Sequence, residues 1–217
     1  IAVHATGAEA VRQADIVVSL LENGPAVEHV LFHAGAAQAM RPGTLFIDMA
    51  SIQPREARDH AARLGEMGLA HLDAPVSGGT VGAENGTLAI MAGGRAEDFA
   101  RAQPVFAALG RATHVGPHGS GQLAKLANQM IVGITIGAVA EALLFAAKGG
   151  ADMAKVREAI QGGFADSRIL QLHGQRMVDR DFAPKARMGV QLKDMRNALG
   201  TAKEIGFDAP VTTLFEA

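Results

Sequence analysis

The residues best equipped for chemistry lie in two short stretches. In Gly119-Ser120-Gly121-Gln122-Leu123-Ala124-Lys125-Leu126-Ala127-Asn128-Gln129 an ammonium is followed at i+3 and i+4 by two amides. On a helix that spacing gathers the polar groups on one face. Burial among apolar neighbours lowers a lysine's pKa and makes it a useful acid or base near neutrality. Lys125 therefore reads as a cationic proton donor, with amides beside it to orient a polar substrate. The alternative is structural: Lys125 carries its head out to solvent while the amides bond nearby backbone. The second stretch, Asp73-Ala74-Pro75-Val76-Ser77-Gly78-Gly79-Thr80, offers a hydroxyl and two backbone N–H groups with no side chain in the way, a cradle for a carboxylate. Its alternative is an ordinary glycine turn. Lys193-Asp194, taken by itself, is a solvated pair on a helix.

The surrounding pattern says what must position these groups. Short helices are predicted over 8–14 and 25–32, and longer ones over 54–66 and 97–108. Between them, β-branched runs predict strands over 15–21, 44–49, 68–76, 88–91 and 112–115. Alternation of this kind implies βαβ units and a mostly parallel sheet, and the Asp73 stretch then falls at a strand's C-terminal end, where such sheets hold ligands. After residue 115 the strand signals stop. A helix is predicted from Ser120, as N-cap, to about Lys148; it is apolar nearly all round and so expected to be buried. A further helix is predicted over 190–204. The chain thus divides near Pro117 into an α/β part, 1–117, and an all-α part, 118–217. Gly119 to Ala124 also fits G-x-G-x-x-A, but no second strand follows, so a dinucleotide turn is not assigned there.

Composition narrows the function. A chain of 217 residues with net charge -2 and 48% hydrophobic residues is globular, with no basic footprint for nucleic acid and no polybasic membrane patch. The absence of cysteine excludes thiolate catalysis and cysteine-bound zinc, and the 8 histidines show no metal-ligand spacing. No metal site is expected. The uncharged run 126–140 is short for a bilayer span, no signal peptide is visible, and a cytoplasmic location follows by default.

Together the motifs resemble the β-hydroxyacid dehydrogenase family, which includes 3-hydroxyisobutyrate dehydrogenase and tartronate semialdehyde reductase. Phe46-Ile47-Asp48-Met49-Ala50-Ser51-Ile52-Gln53-Pro54 resembles its strand-end segment, Asp73 to Gly79 its substrate signature, Gly119 to Gln129 its catalytic helix, and Leu192-Lys193-Asp194 its late cofactor-side lysine. The resemblance covers nearly the whole chain. It implies a Rossmann-type domain joined by a long helix to an all-helical domain, with substrate between the two. It also implies NAD- or NADP-dependent interconversion of a small β-hydroxy acid and its semialdehyde or keto form. Lys125 would be the proton donor and acceptor. Ser77, Gly78, Gly79 and Asn128 would hold the substrate, and Leu21, Glu22, Ser51 and Lys193 the cofactor. Glu22 stands where the family usually has proline, and the family's first βαβ unit, with its G-x-G-x-x-G, has no counterpart in this sequence. The expectation is a piece of a longer protein, trimmed at both ends.

Within the family, residues 159–167 and 173–177 resemble the reductase branch. The long apolar helix suggests a homodimer or homotetramer built through the helical domain. Two rivals are an assembly or cofactor-binding module that has lost its chemistry, and an imine reductase of the same fold. Both would be expected to lack the lysine present at position 125.

Overall fold

The computed structural model describes residues 2–183 and 187–217. Two compact units divide at the Leu126/Ala127 bond. In the first, Ile1–Leu126, six strands form one sheet: β1 (Ile16–Ser19), β2 (Leu45–Asp48), β3 (Ala70–Asp73), β4 (Val76–Ser77), β5 (Leu88–Gly94) and β6 (Gly110–Gly116). Their helices are α1 (Gly7–Val11), α2 (Gly24–Glu28), α3 (Ala36–Ala39), α4 (Pro54–Glu66), α5 (Gly79–Glu84) and α6 (Ala96–Leu109). The long helix α7 (Ser120–Lys148) starts here.

β1, β2 and β3 run parallel, and their C-terminal ends are level: Ser19 pairs with Asp48, and Asp48 with Asp73. Alternate side chains of β2 enter different cores, as the two-residue strand period requires. Phe46 packs with Ala57 and Leu64 of α4, whereas Leu45 and Ile47 pack with Ala102 and Phe106 of α6. Covered on both sides, the strand is apolar throughout up to Asp48. Each fully buried Leu or Phe here contributes about 1.5–3 kcal/mol.

The sheet is less parallel than expected. β3 and β4 both pair antiparallel with β5, while β5 and β6 are parallel. The run 68–76, read as one strand, breaks at Ala74-Pro75 into β3 and β4. The return to β5 passes through α5, where the sequence pattern predicts no helix; its six residues rise only about 9 Å, too little to carry the chain back for a parallel entry. Helix α6 provides that crossover between β5 and β6.

The second unit, Ala127–Ala217, is helical among its described residues. It holds most of α7, then α8 (Met153–Ile160), a π-helical turn (Leu170–Gly174), α9 (Gln175–Val178), α10 (Met188–Glu204) and α11 (Pro210–Glu216). Its core joins Val139 and Leu143 of α7 to Leu170, with Met153, Val156 and Ile160 packed against them.

Helix α7 corrects two expectations. Ser120 is its first residue rather than its cap: the Leu123 N–H reaches the Gly119 carbonyl, so Gly119, at φ +87°, takes the cap position. Nor is the helix buried along its length; Ile131, Leu144 and Phe145 are 67%, 57% and 80% exposed. At 29 residues it is also long and apolar enough to cross a membrane by length and composition. Its buried Gln122, Lys125 and Gln129, all with protein partners, are the mark of a helix packed on protein.

The entry of α7 is tight. A Cβ on Gly121 would overlap the carbonyl oxygens of Asp73 and Met91, whereas one on Gly200 of α10 would meet nothing. We expect Gly121→Ala to destabilise the protein by about 1–3 kcal/mol, and Gly200→Ala to be neutral or to stabilise by about 0.5–1 kcal/mol. Denaturant midpoints of the two variants test this.

Candidate active site

The site is built on the level C-terminal ends of β1, β2 and β3. The fully buried carboxylate of Asp73 receives the Gly119 N–H at 2.8 Å on one oxygen and the Gln122 N–H at 2.9 Å on the other. It therefore does what a side chain at the cap position normally does, and satisfies N–H groups that the start of a helix leaves without partners. Glycine at 121 and at 93 permits the approach: a Cβ at Gly93 would collide with the Asp73 carboxylate and the Gly121 nitrogen.

With its start pinned, α7 presents Gln122 and Lys125 in the α/β unit. Gln122 is fully buried. Its Oε1 accepts the Ile52 N–H at 3.1 Å, and its Nε2 donates to the Ala50 carbonyl at 2.8 Å. Ser51 lies between those two residues, in the loop after β2. One turn further, Lys125 is only 9% exposed, and its Nζ donates to the Val76 carbonyl at 2.8 Å. The solvent-seeking reading of Lys125 is thereby excluded.

Val76 precedes Ser77, so the ammonium is held next to the Ser77-Gly78-Gly79 segment. There Gly78 (φ +142°) and Gly79 (φ +62°) adopt backbone angles that favour glycine, and the chain turns into α5, whose first N–H groups have no partner inside the helix. Leu21 and Glu22 follow β1 at the same sheet edge, Leu21 half-buried and Glu22 exposed. The structure thus brings Leu21, Glu22, Ser51, Ser77, Gly78, Gly79 and Lys125 to one edge of one unit.

In the helical unit, Asn128 and Lys193 belong to one network. Asn128 Nδ2 donates to Gln129 Oε1 at 2.8 Å, Gln129 Nε2 donates to Asp194 Oδ2 at 2.7 Å, and Lys193 Nζ lies 3.1 Å from Asp194 Oδ1. Asp194 is buried, so Lys193-Asp194 is not the solvated pair that spacing alone suggests. Gln122 and Asp194 were visible in the motifs but had no role there. The signal that could have found them is their polarity at positions that helical periodicity places among apolar residues.

Two more groups shape the electrostatics. Asp48 is fully buried; its Oδ1 accepts from the Ser19 hydroxyl and the Ala50 N–H, both at 3.0 Å, and its Oδ2 has no partner among the described residues. Burial pushes its pKa up to about 7, against the opposing effect of those hydrogen bonds. Burial also raises Asp73, opposed by the two N–H groups of α7. Between Phe46 and His118, with ring centroids 6.1 and 5.6 Å away, buried His71 is pushed down to about 3 and is neutral. Among the described residues no His, Asp or Glu cluster could hold a metal.

The raised Asp48 carries a pH signature. Between its ordinary value of 3.8 and about 7 the unfolded chain has released this proton and the folded chain has not. Stability from this group is therefore fully present below the ordinary value and is lost as pH rises through the window. Asp48→Asn removes the titration. We expect its stability relative to the parent to improve by on the order of a few kcal/mol between about pH 4 and pH 8. A stability difference that stays flat over that range means that Asp48 is ionised throughout.

Residues 1–117 match the family model described as the NAD-binding domain of 6-phosphogluconate dehydrogenase, and residues 119–217 that described as the NAD-binding of NADP-dependent 3-hydroxyisobutyrate dehydrogenase. The chain is 46% identical to the 2-hydroxy-3-oxopropionate reductase of Escherichia coli (strain K12) over 209 residues, which are 95% of this chain and 72% of that protein. It is 36% identical to a 3-hydroxyisobutyrate dehydrogenase of Pseudomonas aeruginosa over 210 residues, 93% of this chain and 70% of that one. Mycobacterium tuberculosis 3-hydroxyisobutyrate dehydrogenase, solved with L-serine, superposes with a TM-score of 0.90 at 31% identity, covering 98% of this chain and 75% of that chain. The chain belongs to the β-hydroxyacid dehydrogenase family and is an oxidoreductase that uses NAD or NADP to act on a small hydroxy acid.

Proposed function

We propose that the protein reduces tartronate semialdehyde (2-hydroxy-3-oxopropionate), with Lys125 as the proton donor. The observation that carries this reading is the buried ammonium of Lys125, fixed on the Val76 carbonyl beside Ser77-Gly78-Gly79. A carboxylate bound by Ser77, Gly78 and Gly79 sets an anionic substrate within reach of that cation. The 46% identity to the Escherichia coli reductase favours this substrate over 3-hydroxyisobutyrate or L-serine. Asn128 places the reacting end.

The residues at the sheet edge fit a nicotinamide cofactor. Leu21, Glu22 and the Gln122-held Ser51 lie at the C-terminal ends of neighbouring parallel strands, where open α/β sheets take dinucleotides, and Lys193 serves the cofactor from the helical unit. When bound, the reduced nicotinamide supplies the hydride that adds to the aldehyde carbon. Lys125 gives its proton to the aldehyde oxygen, so the product is a primary alcohol, and it takes that proton back in the oxidative direction. As a cation it also stabilises the alkoxide that develops on the way. Its fixed position adds the benefit of orientation.

The test uses the full-length protein and its Lys125→Ala variant, following NADH or NADPH absorbance with tartronate semialdehyde and, in reverse, with 3-hydroxyisobutyrate and L-serine. We expect turnover of tartronate semialdehyde, lost by roughly 10²–10⁴-fold in the variant while cofactor binding survives. Undiminished turnover in the variant overturns the role of Lys125. Turnover of another acid alone replaces the substrate, and cofactor binding without any turnover favours a non-catalytic module.

The reading includes a cytoplasmic homodimer or homotetramer assembled through the helical unit, without nucleic-acid or membrane partners. Its support is the exposed apolar face of α7, Phe145 above all. Light scattering should give a multiple of the protomer mass for the parent and a smaller species for Phe145→Glu; a monomeric parent removes this part.

A further inference from the structure

Gln122 has no role in the chemistry above, yet it uses both ends of its amide on one loop. The Ile52 N–H and the Ala50 carbonyl flank Ser51, and both belong to residues with no exposed surface. A side-chain amide laid along a peptide in this way copies the pairing of a neighbouring strand and fixes the loop in position and in rotation. Gln122 is itself fixed, because its backbone N–H is bound by Asp73. Lys125 follows at i+3, about 4.5 Å along the helix axis, with its ammonium on the Val76 carbonyl. An apolar side chain at 122 would fill the space but leave a buried donor and a buried acceptor unpaired, and the loop would reseat to find partners.

We infer that Gln122 is a positioning residue for the reaction: by clasping the backbone on either side of Ser51, it sets the separation between the cofactor-side loop and the helical turn that carries Lys125. This rests on the reading that Lys125 donates the proton and that Ser51 borders the nicotinamide. Hydride and proton must arrive at the two ends of one carbonyl bond, so a loop displaced by a fraction of an ångström leaves both groups present and the reaction slow.

The experiment compares full-length parent, Gln122→Met and Gln122→Glu. In Gln122→Met the Ile52 amide should exchange with solvent about tenfold faster or more, the factor that accompanies loss of one buried hydrogen bond, while the Ile47 amide of β2 keeps its rate. The value of kcat should fall roughly 10–100-fold with KM for substrate little changed. The isotope effect on kcat with 4-deuterated reduced cofactor should rise, because hydride transfer becomes the slow step. In Gln122→Glu, burial raises the introduced carboxyl's pKa. In its protonated form it can accept from Ile52 and donate to Ala50 as the amide does. Activity near that of the parent is expected at low pH, falling as pH rises through the new pKa. This variant keeps the test open if the methionine variant does not fold.

Faster exchange at Ile52 with kcat and isotope effect unchanged overturns the inference, as does unchanged exchange at Ile52, as does a Gln122→Glu pH profile identical to the parent's. A parent inactive on every hydroxy acid sinks the Lys125 reading and this inference with it, whereas any of the other three results in an active enzyme sinks the clasp alone.

Discussion

The carboxylate of Asp73 holds the start of α7, and the rest of the site follows from that contact. It is a side chain of a strand end capping a helix 46 residues later in the chain, so sheet and helix cannot shift separately without leaving backbone N–H groups unpaired. The position of Lys125 is a consequence. Had the helix been capped by its own Ser120, its start would have been locally stable but free to slide over the strand ends. With the cap supplied by β3, the register of α7 on the sheet is set by the sheet itself.

Such a cap has an electrostatic cost. A carboxylate near a helix N-terminus gains about 0.3–1 kcal/mol from the dipole, up to about 2 when partly buried, and charge-assisted bonds to N–H groups add more. Burial of an ionised group opposes this with several kcal/mol. Here burial is the stronger influence, since Asp73 is raised despite two N–H donors. Asp48, its partner in the strand register, is also raised, and each carboxylate makes ionisation of the other harder. Two acids at adjacent strand ends, beneath a loop and a helix that must not move, place a pH-sensitive element under the site while Lys125 itself is held by a neutral carbonyl.

Much of this was legible in the sequence, for identifiable reasons. Strand β2 announced itself because both its faces are covered, and Lys125 with Asn128 and Gln129 because polar groups at helical spacing stand out in an apolar run. What the sequence hid is of two kinds. Pairwise long-range contacts leave no local signature: nothing around Asp73 says that it caps a helix starting at residue 120, and nothing around Gln122 says that it holds residues 50 and 52. Glycine is also ambiguous. Gly78 and Gly79 read as a carboxylate cradle or as an ordinary turn, and in the structure they lead into α5, while Gly121 serves the close approach of two backbones. The same ambiguity made Ser120 look like a cap.

The polar residues on α7 resolve a further difficulty. A helix apolar on all sides has no stripe to set its rotation, because any face packs about as well as another. At 100° per residue, Gln122, Lys125 and Gln129 fall within about 60° of one another around the axis. Each has specific partners in its own unit: Ala50 and Ile52, Val76, and Asp194 with Gln191. A wrong rotation would bury these groups unpaired at about 1–3 kcal/mol each, more than any difference in apolar packing between faces is apt to recover. The line of polar groups that orients the helix thus includes the residue proposed to do the chemistry. Orientation of α7 and placement of Lys125 are therefore one structural problem, and the same hydrogen bonds solve both.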